Sequence, residues 1–428
     1  MNVRNARFQK VLTLIIVAIA GGLITKLPYL RETYYTPLQQ ATGTTNAQLG
    51  FLMSAYGIVN FICYFPGGIL ADKFSAKKLI VFSCIGTAAA GLWYSTLPSY
   101  GSLVVIHAIF AITTVFTFWA AMVKSINGLG GPEQQGRLFG ALEGGRGLIG
   151  TIAALGSVVV FAKFANDIGG FQGTIVYYSI LLVVAGILAA IFMVDNKPVV
   201  QNKKEEKKDN KTKLQDFLAV AKIPRVWLCG VLVICNYSAL IFHGYITPYL
   251  SKAFEIDSST VAVLSIVRTY FMMMVGAVAA GFFADKIGSR IKFIKYGFIG
   301  MAIFAVGYLV IPANRSAIWL IVINFVIFGL CLYSIKALYF STIDEVLIPK
   351  KLAGTASGVI SLVGYAPEIF LYTLSGKIVD NATGLNGFRT CFTIMVVLSV
   401  IGFVVAMALL KLNKKAIEKA NTEYSVVQ

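Results

Sequence analysis

Residues 67–79 read GGILADKFSAKKL, and residues 280–292 read AGFFADKIGSRIK. Both run from small apolar residues into an Ala-Asp-Lys triplet and then into a basic segment. Asp72 and Asp285 stand 213 positions apart. Two further echoes keep nearly that spacing. TPLQQATGTTNAQLG (36–50) is matched by TPYLSKAFEIDSSTVAVLS (247–265), and RLFGALEGG (137–145) by KLAGTASGV (351–359) at an offset of 214. Three echoes at nearly one offset point to an internal duplication, so the chain reads as two similar halves.

The solvent of those halves follows from composition. Of 428 residues, 57% are hydrophobic and 13% charged, against about 25% charged in a soluble domain. A span needs about 20 apolar residues to cross a hydrocarbon core of about 30 Å. Twelve stretches qualify: roughly 10–31, 48–71, 78–97, 101–126, 138–163, 173–194, 225–252, 257–284, 293–312, 316–341, 353–378 and 387–411. Backbone polar groups must be satisfied within each span, so these are expected to be helices. None shows the ten-residue alternation of a membrane barrel. DNKPVVQNKKEEKKDNKTKLQDF (195–217) is charged and carries no hydrophobic stripe before Leu214. The reading is an all-α membrane protein of twelve transmembrane helices in two pseudo-symmetric six-helix bundles, 1–194 and 223–428, joined by a linker over 195–222.

The net charge of +18 would suggest nucleic acid in a soluble protein. Here the bases gather in loops between spans, as at Arg4, Arg7 and Lys10, at Lys73, Lys77 and Lys78, and at Lys411, Lys414, Lys415 and Lys419. That bias places those loops and both termini in the cytoplasm, and no nucleic-acid partner is expected. The start of the chain resembles a signal peptide, but its apolar run continues to about Leu30 and is read as an uncleaved first helix. Six cysteines without a C-x-x-C and two histidines give no disulfide framework, metal site or cofactor. No G-x-S-x-G, H-E-x-x-H or phosphate-binding loop is present, and no enzyme is expected.

The repeated loop resembles the G-x-L-A-D-[RK]-x-G-[RK]-[RK] motif of the major facilitator superfamily. The first copy keeps Gly68, Leu70, Ala71, Asp72, Lys73 and Lys77 but carries Ser75 for the usual glycine and Ala76 for a base. The second keeps Gly281, Ala284, Asp285, Lys286, Gly288 and Arg290, with Ser289 for a base. The segment EQQGRLFGALEGGRGLIG is similar to the family's pattern opening helix five. The resemblance implies a secondary transporter, usually monomeric, whose two bundles rock about a central site. It implies that Asp72, Lys73, Lys77, Asp285, Lys286 and Arg290 gate that motion as a latch of ion pairs.

Ionisable residues inside the spans carry the rest. Lys26, Lys124, Glu143, Arg146, Arg268, Lys336 and Glu368 would each cost about 2.5–3.5 kcal/mol facing lipid at mid-depth. Lys124 and Lys336 lie near span ends, where snorkelling is open to them. Ser357, Ser361, Tyr365, Glu368, Tyr372 and Ser375 step by three or four, one face of a single helix. His107, Thr114, Thr117 and Lys124 form a weaker line in span four, and Asn236, His243 and Thr247 one in span seven. Glu143 and Arg146, three apart, share a face and neutralise one another. Gly140, Gly144 and Gly147 are expected to let a neighbouring helix approach there.

Five bases against two acids favour an anionic solute. Lys26, Arg146, Arg268 and Lys336 are its expected ligands, and Tyr365 and Tyr372 offer hydroxyls and ring faces. Glu368, with Glu143 second, is the candidate proton carrier. The expected function is proton-coupled symport of a small organic anion across the cytoplasmic membrane by alternating access. Within the resembled family, Arg268 matches one of two arginines of nitrate porters, but Ala55 stands at the other. Organic-phosphate antiporters place arginines on helices one and seven; here Lys26 is the nearest base on helix one and helix seven carries His243 instead, a partial parallel. A proton-antiporting drug or metabolite exporter is the rival, and a non-transporting membrane receptor or scaffold the alternative of another class.

Overall fold

The computed structural model describes residues 3–131, 134–193, 216–349 and 352–426, and every regular element among them is helical. The linker expected at 195–222 lies outside the described residues as far as residue 215; residues 216–221 are helical. Ten helical stretches among the described residues are long and apolar enough to cross a membrane. Helices α1 (Val3–Leu23) and α3 (Asn46–Lys73) occupy the other two expected spans. Trp319 and Val278 are 75% and 72% exposed, an arrangement that acyl chains accept and water penalises.

The chain divides into two compact units, Met1–Val200 with Ile256–Ile266, and Gln201–Glu255 with Val267–Gln428. In the first, α2 (Tyr35–Thr42) follows α1, and α4 (Ala76–Ser95), α5 (Tyr100–Ala111) and α6 (Ala120–Asn127) follow α3. A π-helical stretch, Ile112–Trp119, joins α5 to α6. Then come α7 (Gln135–Phe161) and α8 (Asp167–Phe192). Side-chain caps fix several starts. Thr45 accepts from the Gln48 N–H while the Gln48 side chain accepts from the Thr45 N–H, Ser75 accepts from the Lys78 N–H, and Asn166 from the Gly169 N–H.

The weaker polar line of span four is absorbed by packing. Thr117 bonds Ser83 at 2.6 Å and Thr114 bonds Tyr56 at 2.8 Å, tying the π-helical stretch to α4 and α3. His107 Nδ1 lies 2.8 Å from the Leu103 carbonyl, one turn back. Lys124 Nζ donates to the carbonyls of Ala71 (2.5 Å) and Phe74 (3.2 Å), satisfying acceptors that the end of α3 leaves open. Buried hydroxyls thus join helix to helix where no water competes.

Helix α7 meets α1 through different glycines from those expected. A Cβ on Gly22 would stand 2.8 Å from the Arg146 backbone oxygen, and one on Gly145 2.9 Å from Ala18 Cβ. Gly140, Gly144 and Gly147 have no neighbour within 4 Å at that position. One residue turns a helix by about 100°, so Gly145 faces α1 while Gly144 faces away from it.

The second unit contains α9 (Pro224–His243) and α10 (Ile246–Phe254). After α11 (Ser258–Ile266), which groups with the first unit, a π-helical turn at Val267–Phe271 leads into α12 (Met272–Ile287). Next are α13 (Arg290–Val310), α14 (Ile318–Leu338) and the single turn α15 (Thr342–Glu345). Finally come α16 (Ala353–Tyr365), α17 (Leu371–Asp380) and α18 (Asn386–Val426). The echo of TPLQQ and TPYLS is structural, because α2 and α10 both form short helices after a break in the preceding span.

Span eleven is not one helix. It stops at Tyr365, passes through a 3-10 turn at Ala366–Ile369 and resumes at Leu371. Pro367 has no N–H to donate and disfavours helix at the residue before it. The expected polar face is therefore interrupted: Ser357 and Ser361 lie on α16, while buried Ser375 lies on α17 and bonds the Tyr245 hydroxyl at 3.2 Å.

The two loop copies differ by one residue of function. Gly288 ends α12 with φ +70°, and Ser289 then caps α13 by accepting from the Lys292 N–H. In the first copy Ser75, at the glycine's place, has φ −63° and itself caps α4. The first turn needs no left-handed residue, which is why a serine is accommodated there.

Candidate functional site

In the first unit, α-helix ends at Leu23, and Lys26 sits in the hydrogen-bonded turns that follow, 9% exposed. Five residues on, Arg31 lies in a 3-10 turn, 3% exposed, its guanidinium 5.1 Å from the Tyr35 ring centroid. Tyr29 packs edge-on against Tyr56 at 5.4 Å. Arg31 is an interior base absent from the expected set. It was hidden at the border of span one, where an adjacent Glu32 made it look like an ordinary loop charge.

Glu143 and Arg146 make the expected pair, 2.5 Å between Nη1 and Oε1. Arg146 also donates through Nε to the Gly21 carbonyl at 3.3 Å and stands 5.4 Å from the Trp119 ring centroid. The absent side chain of Gly21 leaves room for it: a Cβ there would meet Arg146 Nε at 2.9 Å. The pair is asymmetric, with the arginine side chain 16% and the glutamate 61% exposed.

In the second unit, Arg268 occupies the π-helical turn, 2% exposed, and donates to the His243 carbonyl at 3.1 Å. A wide turn of this type is frequent at functional sites. His243 itself is packed away: Nε2 lies 3.0 Å from the Tyr308 hydroxyl, and Phe325 and Phe328 hold the ring. Asn236, about two turns earlier on α9, is fully buried, and neither atom of its amide meets a hydrogen-bond partner among the described residues.

A denser cluster forms around the break in span eleven. Glu368 lies in the 3-10 turn and accepts a hydrogen bond from the Tyr237 hydroxyl. Lys336, near the end of α14, interacts electrostatically with Glu368 and stands 5.6 Å from the Tyr333 ring centroid. Tyr365 packs edge-on against Tyr237 at 4.8 Å and bonds the Tyr339 hydroxyl at 2.9 Å. Tyr372 is buried and interacts with Tyr237. Three of the expected residues, Tyr365, Glu368 and Tyr372, thus border Tyr237, and Lys336 joins the cluster through Glu368. Neither Tyr237 nor Tyr339 was expected; both look like ordinary apolar filling in sequence. Chemically the cluster offers one cation, one carboxyl and a ring of hydroxyls.

Of the gating set, the side chain of Asp72 lies outside the described residues. Lys73, Asp285 and Lys286 are exposed, and Lys77 is half-buried. Arg290 is held at the start of α13. Its N–H donates to Glu345 at 2.8 Å and its guanidinium to the Ser341 carbonyl at 3.4 Å. Glu345 also accepts from the Ser289 hydroxyl and the Ile291 N–H, so a carboxylate absent from the expected set neutralises a helix N-terminus.

The sequence profile of the Major Facilitator Superfamily matches residues 12–371. The chain belongs to this superfamily. It is a multi-pass membrane protein of a secondary-transporter family with the major facilitator fold. Inner membrane protein YihN of Escherichia coli (strain K12) is 30% identical over 92% of this superfamily member and 94% of its own length. The hexuronate transporter of Bacillus subtilis (strain 168) is 22% identical over 88% and 90%. Among solved structures, a point mutant of the nucleoside transporter NupG superimposes with a TM-score of 0.71 over 94% of this chain and 99% of its own, at 15% identity. At that identity the likeness speaks for the fold alone.

Proposed function

We propose that this transporter carries a small organic anion across the cytoplasmic membrane by alternating access, coupled to symported protons, with both termini cytoplasmic. The observation carrying this reading is the cluster in which the Glu368 carboxyl, within electrostatic reach of Lys336, meets the Tyr237 hydroxyl beside the paired hydroxyls of Tyr365 and Tyr339. A carboxylate beside Lys336 competes with an anionic solute for the ammonium. Protonating Glu368 removes that competitor and frees Lys336 for the solute, so proton and anion enter together. Tyrosine hydroxyls and ring faces suit a hydroxylated carbon skeleton. The relative named for hexuronate, a sugar acid, supports that class. Lys26, Arg146 and Arg268 are further proposed anion ligands. Asp72, Lys73, Lys77, Asp285, Lys286 and Arg290 keep the proposed latch role, with Glu345 added to it.

The test is uptake into proteoliposomes under an imposed acid-outside pH gradient, with a panel of sugar acids and other organic anions. Accumulation of an anion that follows the gradient and is lost in Lys336→Gln supports the reading. The tyrosines gathered around a single acid also meet what a cation exporter requires. Gradient-driven efflux of lipophilic cations, without anion uptake, establishes that function instead.

A further inference from the structure

A groove of about 530 Å³ opens on the first unit between α4 and α8. Its mouth is formed by Lys77 and Lys78, in the first turn of α4, where no acidic residue stands. Beyond them Phe82, Ile85 and Ala89 line it, about one helical turn apart. Small residues also line it, Gly86 on α4 and Ala190 on α8. Phe82 is 57% exposed and Ile85 40%, so the walls face outward from the unit into the hydrocarbon of a spanning protein.

The dimensions fit one kind of occupant. From Lys77 to Ala89 is twelve helical steps, about 18 Å at 1.5 Å per residue. Half of a hydrocarbon core of about 30 Å is about 15 Å. The groove therefore runs the depth of one leaflet, cationic where headgroups lie and apolar where tails lie. We propose that it is a binding site for a phospholipid with an anionic headgroup, the phosphate held by Lys77 and Lys78 and one acyl chain lying over Gly86 and Ala190. Lysine binds phosphate as a point charge, and each basic residue near an anionic surface contributes about 1 kcal/mol. Neither the solute nor the coupling ion enters this assignment, and it stands or falls separately from them.

Native mass spectrometry of the purified full chain in detergent tests it. The probes are phosphatidylglycerol, phosphatidylcholine with identical acyl chains, and sn-glycerol phosphate without tails. Retention of phosphatidylglycerol over both others is expected. Lys77→Gln/Lys78→Gln should weaken phosphatidylglycerol about 30-fold, the loss of two surface bases, and leave phosphatidylcholine unchanged. Ala89→Trp, at an exposed position, should fill the groove and weaken both lipids. Lys414→Gln/Lys415→Gln, with the same charge change on exposed α18 residues, should alter neither. Equal retention of the two lipids, or an unchanged affinity in both groove variants, overturns the site. So does a groove closed by a second copy of the chain, seen as a dimer that Ala89→Trp dissociates.

Discussion

Arg146 ties together three parts of the first unit: the Glu143 carboxylate at 2.5 Å, the Gly21 carbonyl at 3.3 Å, and the face of Trp119 at 5.4 Å. A guanidinium can serve all three because its donors are fixed in a planar fork and its face stacks on rings. An ammonium cannot. Arg146→Ala is expected to cost about 2 kcal/mol through the lost charged hydrogen bonds, or about 4–8 °C in melting temperature for a unit of this size. Arg146→Lys should recover less than half of it. Glu143→Gln, at the exposed end of the pair, should cost under about 1 kcal/mol. Thermal unfolding in detergent measures all three, and equal losses for Arg146→Ala and Glu143→Gln would contradict the asymmetry.

Glu368 is predicted to couple, not to hold the fold. Glu368→Gln keeps a hydrogen-bonding group for Tyr237 and removes the titrating proton. Uptake driven by a pH gradient should fall to background, while solute counterflow without a gradient persists. Loss of both would make Glu368 a binding group only.

The two faces of α7 should respond oppositely to an added methyl. Gly22→Ala on the facing α1 sets a Cβ 2.8 Å from backbone oxygen that cannot step aside, a clash of about 1–3 kcal/mol. Gly144→Ala and Gly147→Ala meet no atom within 4 Å and should gain about 0.5–1 kcal/mol from helix propensity. Melting temperatures of the single variants decide the matter. Destabilisation by Gly144→Ala would show a partner helix on that face.

The loop copies should also be unequal. Gly288→Ala places a side chain at φ +70° and should cost about 1–2 kcal/mol. Ser75→Gly should cost only a few tenths and Ser75→Ala about 1 kcal/mol, as for a helix cap. Glu345→Ala, which leaves the N–H groups of Arg290 and Ile291 without their acceptor, should cost about 2 kcal/mol. Hydrogen exchange at the first turns of α4 and α13 reads each loss locally.

Much of this is legible in the sequence. The duplication showed in Asp72 and Asp285, and the spans showed in length and hydropathy, because lipid leaves the backbone only one economical solution. The Glu143–Arg146 pair followed from helical spacing. Interior detail did not. Gly144 and Gly145 differ by one position in sequence and by a whole face in space. Pro367 was visible, but a polar stripe with helical period outweighed it, and nothing local announces a π-helical turn at Arg268. Arg31 and Tyr237 were missed because their importance lies in what other segments bring to them.

The interruption at Pro367 has a mechanical meaning. A continuous rod would carry Glu368 rigidly with every neighbour on span eleven. The break leaves two short rods meeting at a joint, with α16 packed closely on α9 through Gly230 and Gly364, whose missing side chains seat Val363 and Val233. The acid sits at the pivot. On the proposed coupling, a small rotation there would change the distance from the Glu368 carboxyl to Lys336, and with it their electrostatic interaction.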